Sequence, residues 1–148
     1  MAVGARRRAR IAALQALYEA DSSSHAPLEA LKRIAGQERL SRDADAFAKD
    51  LIQEVLAQQA AIDRIIAQAA PAWPVEQLSP VDRNILRLAI REMLGDNGTP
   101  VRVAINEAVE LAKSFGSDSS ARFVNGVLGS VQRHHRKIEQ DQAVAERG

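Results

Sequence analysis

In residues 99–131, TPVRVAINEAVELAKSFGSDSSARFVNGVLGSV, apolar side chains recur every three or four positions rather than alternating. At about 100° per residue, Val101, Ala104, Ile105, Ala108, Leu111 and Ala112 fall on one face of a helix. Thr99-Pro100 opens that helix, since proline in the first turn forfeits only an N–H that has no intrahelical partner. Gly116 is a natural stop. Asp118 or Ser119 then caps a second helix, whose buried face carries Phe123, Val124, Val127, Leu128 and Val131.

The same period extends upstream. Ser79-Pro80-Val81-Asp82 places a cap, a proline at the first helical position and an acid where a capping box wants one, so a helix runs from there to Leu94 and Gly95 to Gly98 closes it. Before it, PAWP (Pro71 to Pro74) ends a long helix predicted from Asp43 to about Ala70, with Phe47, Leu51, Val55, Ile62, Ile65 and Ile66 as its core residues. Its alanine- and glutamine-rich middle is where it would bend or split. A short helix covers Leu28 to Ala35 and stops at Gly36. The first helix spans about Ala5 to Ala20, with Ile11, Leu14 and Tyr18 on one stripe and Leu17 at its edge, and SSSHAP, Ser22 to Pro27, breaks it. No strand pattern or internal repeat is present. The expectation is an all-α domain over residues 1–139, with a polar tail at 140–148 that frays.

Length and composition agree: 148 residues, 46% hydrophobic and 26% charged, suit a domain with its own core. Cysteine is absent, which excludes disulfides, thiolate metal sites and a cysteine nucleophile. No apolar run reaches the roughly 20 residues that span a bilayer. Gln15 and Glu19 interrupt the stretch after the basic N-terminus, so it lacks a signal-peptide core and a cytoplasmic location is expected.

Net charge is only +1, so any anion binding depends on local concentration. Arg6, Arg7, Arg8 and Arg10 crowd the first turns, where the helix dipole disfavours cations. Arg7 shares the stripe of Ile11 and Leu14, so packing is expected to begin after it and leave the arginines projecting. Phosphates of RNA or DNA would resolve that conflict, because arginine offers planar, bidentate donors. A solvated terminus is the plainer alternative. A weaker basic group, Arg133 to Lys137, lies near the other end.

Other features read as structure. Tyr18 and Phe123 pack in the core when judged alone. Arg83, Arg87 and Arg91, four apart, form a solvated face or, as the alternative, extend a basic surface. Asn106 and Asn125, amides in strongly apolar helices, bond neighbouring helix ends, and Gly126 admits a close helix approach. Glu107 and Glu110 belong to an ordinary polar face. Three histidines form no convincing metal site, and neither a phosphate-cradling loop nor a Ser-His-Asp pattern occurs, so no catalytic residue, metal or cofactor is expected.

Three segments together resemble the bacterial NusB family. ARRRARIAALQALYEAD (5–21) resembles its arginine-rich first helix with the Leu17-Tyr18 pair, and LSPVDRNILRLAIREML (78–94) its central helix. Thr99 to Val131 resembles its C-terminal signature, with INEAVELAK and FVNGVL at the family's separation. About 65 residues carry the likeness; Asp21 to Ala70 and the extension after Arg133 carry no diagnostic motif.

The resemblance implies six to seven helices in two bundles packed across one another. It implies binding of boxA-type single-stranded RNA together with NusE, a protein that also serves in the small ribosomal subunit. The pair joins other Nus factors that keep RNA polymerase elongating through ribosomal RNA operons. Position by position, Arg6, Arg7, Arg8 and Arg10 match the RNA-facing arginines, while Tyr18 and Phe123 become stacking candidates. Asp82 either contacts a base edge or only caps, and Arg122 contacts phosphate. A NusE surface is expected on the first helix and on Ile85 to Arg91. The chain is either a monomer until NusE arrives or a homodimer through apolar helix surface.

Two other readings compete. NusB-like domains also open RNA cytosine methyltransferases, which would require a truncated chain and a Gly-rich strand-turn-helix that is absent here. The other is a helical adaptor that binds only protein. Salt separates it from an RNA binder: four arginines, each neutralising one phosphate of a single strand, give a log–log slope of about −3.

Overall fold

The computed structural model describes residues 4–95 and 98–147, with side chains described through His135. Six α-helices follow in order: α1 (Ala5–Ser22), α2 (Pro27–Gln37), α3 (Arg42–Ala69), α4 (Pro80–Leu94), α5 (Val101–Phe115) and α6 (Ser120–Arg147). One 3-10 turn, Val75–Gln77, lies between α3 and α4, and no strand occurs among the described residues. The all-α expectation holds. α1, α2 and α3 pack as one group and α4, α5 and α6 as another, with α4 also lying against α1 and α3.

α3 is one unbroken helix through its alanine- and glutamine-rich middle, with Leu51, Val55, Ile62 and Ile66 buried and Phe47 and Ile65 half-buried. α2 does not stop at Gly36. It continues to Gln37, and Arg39 takes the left-handed conformation (φ 52°), while the Leu40 N–H donates to the Ala35 carbonyl. The backbone of α6 is helical to Arg147, beyond Gln140 where fraying was expected. Asp96 and Asn97 of the expected Gly95–Gly98 turn lie outside the described residues, as do residues 1–3 and Gly148 of the expected domain and tail and the side chains of Arg136 and Lys137.

α4 is the element that both groups share. Every residue from Asn84 to Ile90 is buried, so the arginines on it are not a solvated face. Each instead meets an acid from another helix: Arg83 reaches Asp21 of α1 at 3.0 Å, Arg87 holds both oxygens of Asp63 of α3 at 2.9 Å, and Arg91 reaches Glu54 of α3 at 2.6 Å. Asn84 adds a 2.8 Å bond to Asp21. The Arg91 hydrogen bond holds the Glu54 carboxyl below its usual range. At Asp21, burial pushes the pKa up, but the hydrogen bonds from Asn84 and Arg83 outweigh it and the net direction is down. The same burial removes Ile85 to Ile90 as a partner surface, which corrects the expectation that NusE would dock there.

The α5–α6 turn is tight because Gly116 lets it be. A Cβ on Gly116 would sit 2.5 Å from the Ser120 side chain and 2.8 Å from the Ala112 carbonyl oxygen. Ser120 is buried and its Oγ accepts from the Ser117 N–H at 2.9 Å. Ser119 stands just before the helix, and its carbonyl accepts from Phe123 N. This turn sets the first residues of α6, including Arg122, beside α5.

Candidate nucleic-acid interface

Successive residues on a helix point about 100° apart, so the arginine run cannot face one way, and the structure spreads it around α1. Arg6 lies over the Phe47 ring of α3, with its guanidinium carbon 4.8 Å from the ring centre. Arg7 points instead to α5 and holds both oxygens of Glu107 at 2.9 Å. Arg8 donates to the Glu38 carbonyl just past α2. Arg6 and Arg7 are exposed and Arg8 is half-buried. The hydrogen bonds that Arg7 donates keep the Glu107 carboxyl below its usual range, and the same bonds raise the Arg7 pKa.

Arg10 departs from the expectation. Instead of projecting with the others, it is 5% exposed and packed between the helix groups. Its guanidinium makes a two-pronged bond with Glu92 of α4 at 2.9 and 2.8 Å, and Glu92 is 2% exposed. Thr99 Oγ1 adds a 3.2 Å bond to Glu92, and the Arg10 guanidinium also lies 5.3 Å from the Phe47 ring centre. The reason lies in the neighbours: Ala9, Ala12 and Ala13 are small enough to let α1 approach closely, so packing begins before Ile11. Arg10 ties the two helix groups together and presents no free edge to phosphate.

Three of the candidates, Arg7, Arg122 and Tyr18, line two hollows, and Phe123 and Asp82 line neither. Arg7 and Arg122 line one groove between α5 and α6, together with Asn106, Glu107, Lys113 and Asn125. Tyr18, 45% exposed, lines the other with Leu14, Ile34, Val81 and Phe115, and that hollow encloses about 570 Å³. Phe123 is half-buried against the core, so its ring is a packing element with one accessible side. Asp82 does not complete a capping box. Its N–H donates to Ser79 Oγ at 3.1 Å, and its own Oδ1 is buried with no hydrogen-bond partner among the described residues. The run of four arginines is therefore divided, and only Arg7 joins Arg122.

Several contributing residues escape sequence reasoning. Glu107 looks like an ordinary polar position, and Glu92 and Phe47 like helix filler or core, because their partners lie far away in the chain. Phe115, 39% exposed, becomes a second ring of the Tyr18 hollow; an aromatic in the last turn before a glycine stop is the available signal. Asn106 and Asn125 are both exposed and bond no helix end among the described residues, which corrects the expectation for these two amides. Gly126 is exposed too, and a Cβ there would meet nothing within 4 Å, so it serves no close helix approach. Among the described residues, no group of three or more His, Asp or Glu could hold a metal, and no helix is long and apolar enough to cross a membrane.

Two helical groups that meet on α4, with an arginine-rich first turn of α1, define an all-helical class of protein. Comparison with known proteins makes the class specific: the chain matches the NusB family over residues 7–133 and belongs to it. It is 52% identical over 128 residues to the transcription antitermination protein NusB of Dehalococcoides mccartyi (strain CBDB1), covering 86% of this chain and 90% of that one. It is 49% identical over 128 residues to that of Chloroflexus aggregans (strain MD-66 / DSM 9485), covering 85% of each. Among solved structures, NusB of T. maritima superposes with a TM-score of 0.81 at 34% identity, over 90% of this chain and 93% of that one. A structure of the antitermination factors NusB and NusE in complex with double-stranded RNA superposes with a TM-score of 0.80 at 27% identity, over 88% and 97%. The family consists of transcription antitermination factors that bind RNA and are not enzymes.

Proposed function

We propose that this chain acts in the cytoplasm as a transcription antitermination factor, binding boxA-type single-stranded RNA together with NusE. The complex then helps RNA polymerase, with other Nus factors, to elongate through ribosomal RNA operons. The observation that carries the RNA reading is the placement of Arg7 and Arg122 in one exposed groove. Family membership, and a structural relative solved with NusE and RNA, support the partner.

Arg6, Arg7, Arg8 and Arg122 meet phosphates, the first three from three directions around α1. For Arg7, phosphate must displace Glu107, a like-for-like exchange of one bidentate anion for another. Tyr18 supplies an exposed ring for a base, and Phe123 the accessible side of a half-buried one. Asp82 is half-buried with Oδ1 turned inward, so the oxygen left for a base donor is Oδ2. Arg10 has no part in RNA contact.

Salt dependence tests this reading. Removing Arg10 from the contacts leaves Arg6, Arg7 and Arg8, which together contribute about −2 to the slope of log K against log salt on a single strand. Arg122 brings the total to about −3. Replacing Arg6, Arg7 and Arg8 by alanine is expected to weaken binding of every strand and flatten the slope by about 2. A slope that stays the same after the triple replacement contradicts the phosphate roles. If the unaltered chain binds no RNA at any salt, the apolar hollow of Tyr18, Val81 and Phe115 favours the protein-adaptor reading.

A further inference from the structure

We propose that the groove between α5 and α6 reads RNA bases through Asn106 and Asn125. This rests on the RNA reading above and assigns the groove a second task, selecting sequence rather than holding phosphate. The two amides come from different helices and line one groove of about 850 Å³. Both are exposed, and neither side chain has a hydrogen-bond partner among the described residues. Asparagine is a poor helix former, and here neither a cap nor a buried bond compensates for it. Its amide presents a donor and an acceptor side by side, the pattern that pairs with the edge of a base. Single-stranded RNA leaves those edges open.

The surroundings fit a nucleotide. Val103, 37% exposed, and Val109 form an apolar wall against which a base face can lie. Lys113 is engaged by Glu110 at 3.4 Å and Arg7 by Glu107, whereas Arg122 makes no ion pair among the described residues and stands ready for the phosphate. Gly126, next to Asn125 in sequence, does not line the groove and stands on the helix surface beside it. It is exposed in mid-helix with open space where a side chain would stand, so nothing inside the molecule requires glycine. Close approach of a ligand's backbone is what a missing side chain at such a place permits.

The test uses the full chain with a labelled boxA-type single strand and a scrambled strand of equal length and composition. Asn106→Ala and Asn125→Ala are expected to reduce the preference for the boxA-type strand by about tenfold, with the salt slope unchanged because no phosphate contact is lost. Arg122→Ala is expected to weaken both strands alike and flatten the slope by about 0.7. Gly126→Ala should do two opposite things, raising the melting temperature of the free protein and weakening its RNA binding. Wild-type preference in both asparagine variants overturns the proposal, as does wild-type affinity in Gly126→Ala. Absence of RNA binding by the unaltered chain would instead remove the RNA reading itself, and this site with it.

Discussion

Replacing Glu92 by alanine is expected to destabilise the fold by about 3–5 kcal/mol, the largest effect of any single change considered. The variant leaves the Arg10 guanidinium charged and 5% exposed, with its two carboxylate bonds gone. Arginine cannot shed its charge, so the desolvation cost stays in full. Thr99 also loses its bond to the carboxylate. Arg10→Ala should be nearly as damaging, stranding Glu92 at 2% exposure. The pair itself is another matter: Arg10→Met combined with Glu92→Met exchanges an ion pair for apolar contacts and should recover most of the lost stability. Denaturant unfolding of the two single variants and the double variant checks this. A loss below about 1 kcal/mol in Glu92→Ala would show that water reaches the pair and that it does not tie α1 to α4 as described.

The second large effect concerns recognition. Tyr18→Ala is expected to lower RNA affinity by about 1–3 kcal/mol, the worth of one base stacked on a ring. It should leave the unfolding midpoint almost unchanged, since the ring is 45% exposed. Tyr18→Phe, which keeps the face of the ring, should bind like the unaltered chain. Phe123→Ala is a less clean probe because its ring packs against the core, so part of any loss would be structural. Binding isotherms for Tyr18→Ala and Tyr18→Phe, paired with thermal melts, decide the matter. Equal affinity in Tyr18→Ala and the unaltered chain removes stacking from the role of this residue and leaves the hollow to a protein partner.

The fold is largely legible in the sequence because its signals are local. Ser79-Pro80, Thr99-Pro100 and Gly116 mark helix ends through their own backbone chemistry, and each marks one in the structure. Arg39 is not legible, since its left-handed turn depends on how α2 closes against Leu40 rather than on residue type. Charged residues are the hardest to place. Arg10, Arg83, Arg87 and Arg91 all resemble surface positions when seen along one helix, and each is claimed by an acid on another: Glu92, Asp21, Asp63 and Glu54. Periodicity tells which residues share a face but not whether that face meets water or a distant carboxylate. For the candidate site, the arginine run and Tyr18 are visible in sequence. The division of the run around α1 and the meeting of Arg7 with Glu107 and Arg122 need the third dimension.

The most direct measurement is a titration of the full chain with a labelled boxA-type single strand and a scrambled strand of equal length, with and without NusE, at two salt concentrations. Tighter binding of the boxA-type strand, strengthened by NusE and weakened by salt, is the predicted result. Equal binding of both strands, or none, under all four conditions would contradict sequence-selective RNA recognition and leave the helical fold as a scaffold for protein contacts alone.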